Sequence, residues 1–486
     1  MMSQVLIIAA LCYLGILLIL SRISGGTKDN DAFFRGNRRS PWWAVSFGML
    51  GASISGITFV SVPGMVMGVQ MTYLQMCLGF ILGYALVAFV LLPVYYRLNL
   101  TTIYSFLDQR FGLSAYLTGA VFFFISKLLG ASIRLYLVCV ILQRLIFDAY
   151  GIPFWINASL VLLFIWLYTR GSGIKTIVWS DCLQTAVLLS ALVMIIYNLC
   201  DRMGLSLAGA VAQIKESPMS RVFEFGDWNG KQYFWKQFLS GIFTVVVMTG
   251  LDQDMMQKNL TCRTVKQSQL NMCINGLLYT PVNLLFLCLG VLLVLYTQQL
   301  GLDLPQKSDE LLPMLCSEGY LGEASLLLFA VGIIAAAFSS ADSAMTSLTT
   351  CCCVDLLRKP DDERLRKIVH PLIAVAFLGF ILLVRLVNST SVIDAVYVVC
   401  SYTYGPLLGL FALGFLTHRI PRPSWIPVVC VASPFVCYAL DSQVYAATGY
   451  KFGYELLLLN GLLTFAGLWQ ASAKLGTDNA GGNRHI

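Results

Sequence analysis

Long apolar stretches recur along this chain at the length a lipid bilayer demands. About thirteen of them fall near 3–20, 42–67, 72–96, 113–143, 154–170, 174–199, 236–256, 269–297, 322–354, 367–388, 393–416, 424–440 and 453–472. Inside hydrocarbon every backbone N–H and C=O needs an internal partner, so segments of this kind must be helices. The chain therefore reads as an all-α integral membrane protein. Only 12% of its residues are charged and 58% are hydrophobic, against about 25% charged in a soluble domain. The first segment has no basic run before it and no small-residue cleavage site after it, so it reads as a retained span.

Basic residues set the expected orientation. Arg22, Lys28, Arg35, Arg38 and Arg39 precede the second span, Lys258, Arg263 and Lys266 precede the eighth, and Arg358 to Lys367 precede the tenth. Placing these on the cytoplasmic side puts the N-terminus outside and the C-terminus inside a plasma membrane, the inner membrane in a Gram-negative cell. The net charge of +7 flanks apolar segments rather than forming a stripe, which argues against nucleic acid as a partner. His370, His418 and His485 lie far apart and the cysteines sit mostly in apolar runs, so no metal cluster is expected. No soluble domain of useful size remains, and the Gly/Asn-rich tail from Ser472 reads as disordered. The expected partners are the bilayer and a small solute, with no obligatory protein partner.

Polar groups at membrane depth carry the functional signal, because an ionised side chain there costs roughly 2.5–3.5 kcal/mol. Lys127, Arg134, Asp181 and Asp342 stand out. Asp181 lies about 10 Å into its helix at 1.5 Å per residue, and Arg134 falls near mid-depth, two turns beyond Lys127. A buried ion pair or a snorkelling chain is the structural alternative, strongest for Lys127.

Two stretches add oxygen atoms. Gly51-Ala52-Ser53-Ile54-Ser55-Gly56-Ile57-Thr58, followed by Pro63-Gly64, can unwind and free carbonyls, or can serve as a small-residue packing face. In Ala336 to Ser347, the residues Ser339, Asp342 and Ser343 share one helix face. Hydroxyls and a carboxylate on one intramembrane face suit a small hard cation.

With these residues in view the chain resembles the sodium/solute symporters, which include sodium-coupled sugar, proline, iodide, vitamin and sialic acid carriers. The likeness rests on Gly51–Gly64, Thr101–Gly112 (TTIYSFLDQRFG), Gly173–Gln184 (GIKTIVWSDCLQ), Asp252–Arg263 (DQDMMQKNLTCR), Ala336–Ser343 and Gly405–Phe411 (GPLLGLF). It implies a LeuT-type fold: inverted five-helix repeats at 42–199 and 236–416, each opening with a broken helix. A helix and loop at 1–41 precede them, an extracytoplasmic loop at 200–235 joins them, and two helices and a tail at 417–486 follow.

The same resemblance implies a general sodium site from the carbonyls of Gly51, Ile54 and Ala336 with the hydroxyls of Ser339 and Ser340. It also implies a second sodium or proton site from Asp181, Ser339, Asp342 and Ser343. Related sialic acid symporters carry hydroxyls where this chain has Asp342, and the Gly-Ser-Gly at 171–173 replaces a Gly-Gly. Two carboxylates around one Na⁺ leave a negative charge, which calls for a further cation or a proton.

Arg134 sits where a sialic acid symporter pairs an arginine with its substrate carboxylate. Ser53, Ser55 and Thr58, Gln75, and Phe243 as an aromatic lid are the other expected substrate contacts. Ile57-Thr58 stands where sugar carriers place a Glu-Gln pair, which favours an organic anion such as a sialic acid over a neutral sugar or polyol. One Na⁺ entering with a monoanion gains only ~1.4 kcal/mol from a tenfold gradient, whereas two gain ~5.1 kcal/mol once the electrical ~2.3 kcal/mol per ~100 mV is counted, so two ions are the useful number.

Other classes fit less well. A channel needs a continuous polar pore, and the polar residues here cluster in one layer. An enzyme would have to use Asp252, Asp254 or the Asp361-Asp362-Glu363 loop on the cytoplasmic face, so none is expected, and no cofactor beyond the coupling ion. A proton-coupled carrier on the same scaffold is the nearer competitor.

Overall fold

The structure is a computed structural model that describes residues 2–25, 30–170, 173–387, 392–450 and 452–473. Gly171, Ser172 and the tail from residue 474 lie outside the described residues. What is described is almost wholly helical. Among those residues nine helices are long and apolar enough to cross a bilayer, and two bent pairs raise that to eleven. Two shorter apolar helices, Phe154–Thr169 (16 residues) and Leu456–Gln470 (15 residues), fall where spans were expected, below the ~20 residues of a straight crossing.

Both bends matter for function. The first separates Trp42–Ser53 from Gly56–Val69 by 54°. Ile54 leaves helical geometry (φ −87°, ψ 83°) and Ser55 is extended, so the small and hydroxyl residues do unwind. Pro63 does not break the chain further; the helix runs through it to Val69. The second bend, of 68°, separates Phe234–Gly250 from Gln253–Asn259. Each bent helix is followed in sequence by four further helices, at Tyr73–Arg97, Leu113–Tyr150, Phe154–Thr169 and Ile174–Arg202 after the first. Those after the second are Val265–Gln299, Gly322–Leu356, Glu363–Val387 and Val392–Leu416.

Glycines let the core helices touch. A Cβ on Gly51 would sit 1.9 Å from Thr185 Oγ1, and one on Gly48 would sit 2.9 Å from Asp181 Cβ. The unwound stretch is thus also a close-packing face, and that packing brings Asp181 beside the first bent helix. Likewise a Cβ on Gly290 would lie 2.2 Å from the Pro63 carbonyl, which fixes Val265–Gln299 against the far half of the same bent helix.

The two ends of the bundle collect the segments that alternate crossing assigns to one side. At one end Ser40 N–H donates to Thr261 O, Ser114 to Pro423 O, and Arg110 to Thr417 O. At the other, Met71 N–H donates to Arg221 O and Arg202 to Tyr320 O. A two-residue antiparallel bridge, Ile420–Pro421 with Ser472–Ala473, ties the chain after the tenth core helix to the end of the last one.

Candidate functional site

The first bend opens onto a cavity of about 980 Å³, its mouth included. Ser53, Ser55 and Thr58 line it from the first bent helix, and Arg134 and Lys127 from Leu113–Tyr150. Its wall is aromatic, with Tyr73, Phe80, Tyr84, Tyr279, Tyr397 and Tyr404. The Tyr73 and Tyr397 hydroxyls meet at 3.1 Å, and Ser53 Oγ lies 3.4 Å from the Tyr84 hydroxyl.

Two expected substrate contacts are elsewhere. Gln75 is fully buried against the 200–235 segment: its amide donates to Gln232 O at 2.9 Å and its carbonyl accepts from Glu224 N–H at 3.0 Å. Phe243 is half-buried and does not line the cavity; from its helix Thr244, Val245, Met248 and Thr249 do. Helical periodicity explains the difference, since Thr244 and Met248 share a face that Phe243 does not.

Arg134 and Lys127 differ in what they meet. The Lys127 ammonium lies 3.1 Å from Asp252 Oδ2 and 2.6 Å from Asp254 Oδ2, so its charge is satisfied within the protein. Tyr404 donates to Asp252 at 2.7 Å, and Asp252 in turn accepts the Asp254 N–H at 2.8 Å, capping the half-helix Gln253–Asn259. Asp252 and Asp254 are therefore no acidic pair on the cytoplasmic face; they are buried at the cavity's floor. Arg134, by contrast, has no carboxylate within ion-pairing distance among the described residues, and it faces the cavity.

The two stretches expected to hold sodium approach each other. A small gap is lined by Ser55, Gly56 and Arg134 on one side and by Ala337, Ser340 and Ala341 on the other. Ile54 N–H still reaches the Leu50 carbonyl at 3.0 Å and Phe59 N–H already takes the Ser55 carbonyl at 3.3 Å, so the bend releases the carbonyls of Gly51 to Ile54. Ser340 Oγ is buried without a hydrogen-bond partner among the described residues, and Ser339 donates to Asp181 Oδ1 at 2.6 Å, which leaves the Ser339 lone pairs free.

Around Asp181 and Asp342 the surroundings differ from the expected pair of bare carboxylates. Lys258 reaches in from the half-helix Gln253–Asn259, its ammonium 2.7 Å from Asp181 Oδ2, both side chains 1% exposed. Tyr168 donates to Asp342 Oδ2 at 2.8 Å, and the Ser343 hydroxyl lies 3.1 Å from Oδ1. Lys258 was read from sequence as a cytoplasmic loop charge, and that reading is corrected here. The half-helix carries Gln, Asp, Lys and Asn, so by composition it resembles a solvated loop, yet all seven of its residues are buried. The usable signal was balance: intramembrane aspartates need a cation, and Asp254 and Lys258 stand four residues apart.

Bent helices converging on a polar cavity at mid-depth define a secondary transporter of the inverted-repeat kind. The chain belongs to the sodium:solute symporter family, whose model matches residues 33–423. It is thus a sodium-coupled carrier rather than an enzyme. Among similar proteins, the human sodium/iodide cotransporter is 27% identical over 428 residues, 84% of this chain and 64% of that protein's length. The sodium/sialic acid symporter SiaT of Proteus mirabilis (strain HI4320) is 26% identical over 444 residues, 86% of each chain. NanT, the sodium/sialic acid symporter of Aliivibrio fischeri (strain ATCC 700601 / ES114), is 25% identical over 432 residues, 85% of this chain and 83% of the relative. In fold the chain is similar to a substrate-bound, outward-open Na⁺-coupled sialic acid symporter, at a TM-score of 0.79 and 20% identity over 96% of this chain and 97% of the other. It is also similar to MHP1, a nucleobase-cation-symport-1 family transporter, at 0.58 and 15% identity over 92% and 95%. The fold is LeuT-like.

Proposed function

We propose that this carrier imports a small organic anion, with an acidic sugar of the sialic acid type as the first candidate. The observation that carries the reading is Arg134: a guanidinium facing the cavity with no carboxylate within ion-pairing distance among the described residues, while the neighbouring Lys127 is neutralised by two aspartates. A guanidinium grips a carboxylate in a bidentate fork, and partial burial strengthens that grip. Hydroxyls of Ser53, Ser55 and Thr58 with the tyrosine wall suit a polyhydroxylated body.

Sodium is proposed to bind where the carbonyls of Gly51, Ile54 and Ala336 face the hydroxyls of Ser339 and Ser340. Five neutral oxygens hold the ion loosely enough to release it. The partnerless Ser340 hydroxyl supports the placement, because a buried hydroxyl without a partner is costly unless a ligand completes it. The repeats are taken as 42–199 and 236–416, with the N-terminus outside and the C-terminus in the cytoplasm.

A thermal-shift screen of the purified carrier tests the reading. Sialic acids, other carboxylates, iodide and neutral hexoses would each be tried in Na⁺ and in choline. A ligand raises the melting temperature by mass action. Stabilisation by a sialic acid or another carboxylate, only with Na⁺, is expected; stabilisation by a neutral hexose alone overturns the anion assignment.

A further inference from the structure

The cavity, the Asp355–Thr102–Tyr116 cluster, the buried His370 between Thr169 and Thr349, and the aromatic cluster of Phe223, Phe225 and Phe234 each belong to packing or to the site already described. The Asp181–Lys258 pair, within that site, has a role the proposed function leaves unassigned.

We infer that the Lys258 ammonium is a tethered cation that fills the second cation position of this carrier, so that one Na⁺ rather than two accompanies each solute molecule. Four carboxylate oxygens could have offered themselves to a second sodium ion, and each has a neighbour. Asp181 Oδ2 holds Lys258 at 2.7 Å, and Asp181 Oδ1 accepts from Ser339 at 2.6 Å. Asp342 Oδ2 accepts from Tyr168 at 2.8 Å, and Asp342 Oδ1 lies 3.1 Å from the Ser343 hydroxyl, which also sits 2.9 Å from Ser339 O. A hard cation needs several oxygens stripped of competing donors. Entry of a second Na⁺ here would first have to expel an ammonium from a pocket with no exposed surface.

The ammonium's origin adds a consequence. Lys258 stands on the half-helix beyond the second bend, whose N-cap Asp252 also holds Lys127 at the cavity floor. The cation therefore belongs to the element that closes the floor, and it leaves Asp181 only if that element moves. A monoanion moving with one Na⁺ carries no net charge, so its uptake follows the sodium gradient and ignores the membrane potential.

This inference rests on sodium binding at the 51–54 and 336–340 stretches, and its test separates the two. Equilibrium binding of radioactive ²²Na⁺ to the purified full-length carrier in lipid nanodiscs should give one ion per chain. Two ions per chain overturn the inference and leave the sodium reading standing, whereas none overturns the sodium reading itself. In Lys258→Gln the count should rise to two, with the Hill coefficient for Na⁺ rising from about 1 to about 2. In Asp181→Asn/Lys258→Gln, where the pair is removed as a unit, it should return to one. A folded Lys258→Gln protein that still binds a single ion sinks the idea. In proteoliposomes, a potassium-diffusion potential imposed at fixed Na⁺ gradient should leave wild-type anion accumulation unchanged, and an increase would count against it.

Discussion

Tyr73 and Tyr397 meet hydroxyl to hydroxyl at 3.1 Å, joining the start of the Tyr73–Arg97 helix to the Val392–Leu416 helix across the cavity. Tyr397 also packs its ring 4.5 Å from that of Tyr454. Removing only the bridging oxygen should loosen this closure without emptying the wall. Cys400, buried and lining the cavity, reports on it. In Tyr397→Phe, Cys400 should react several-fold faster with a water-soluble thiol reagent, read by mass spectrometry of its peptide. An unchanged rate would show that the tyrosine pair gates nothing.

Arg134 should decide affinity for the solute. Arg134→Ala is expected to raise the concentration for half-maximal uptake by ~30- to ~150-fold, corresponding to roughly 2–3 kcal/mol, near the low end for a charged pair because Arg134 is only half-buried. Arg134→Lys should recover part of this, since it keeps the charge but loses the fork. Tracer uptake in proteoliposomes measures both.

Asp342→Ser replaces a carboxylate with the hydroxyl that related sialic acid symporters carry. Tyr168 then loses its acceptor, but Ser339, Ser340 and Asp181 remain. Uptake should persist with an altered dependence on Na⁺ or pH. A well-folded but inactive protein would show that the carboxylate itself is indispensable.

Packing at the first bend gives a stability contrast. Gly51→Ala drives a methyl into Thr185, whose own backbone lies 3.1 Å from the new carbon, so nothing nearby can give way cheaply. The expected loss is about 1–3 kcal/mol. Gly68→Ala, with nothing within 4 Å, should be neutral or stabilising by up to ~1 kcal/mol. Thermal melting in detergent distinguishes them.

Gln75 and Glu224 hold the 200–235 segment. The Gly226 and Asp227 amides hold the Glu224 carboxyl below the ordinary carboxylate range. A lowered folded value contributes order that is fully present above the ordinary pKa of ~4.3 and lost as pH falls through the lower folded one. Protection of the 224–227 amides, measured relative to their intrinsic exchange rates, should therefore hold at neutral pH and fall only on strong acidification. Glu224→Gln should exchange fast at every pH, while Gln75→Ala should loosen this segment without weakening solute binding.

The broad plan of the molecule was open to a reader of the chain because hydropathy is a local property: the spans and the bend at Ile54–Ser55 follow from residues within one or two turns. Lys258 was not, because a half-helix of polar residues looks the same whether water or other helices surround it. Gln75 failed because the direction its side chain faces depends on partners in the 200–235 segment, far along the chain, and Phe243 because its helix turns a different face to the cavity. Tyr168 as the donor to Asp342 was equally hidden, on a helix with no polar signature of its own.

Every side chain of Gln253–Asn259 is enclosed, so this stopper has no loose edge from which water could begin to pry it open. On the proposed reading, release to the far side would unseat the whole turn together, breaking its grip on Lys127 and Asp181 at once. Slippage of sodium without solute would then be held back by an all-or-none latch rather than by a narrow orifice.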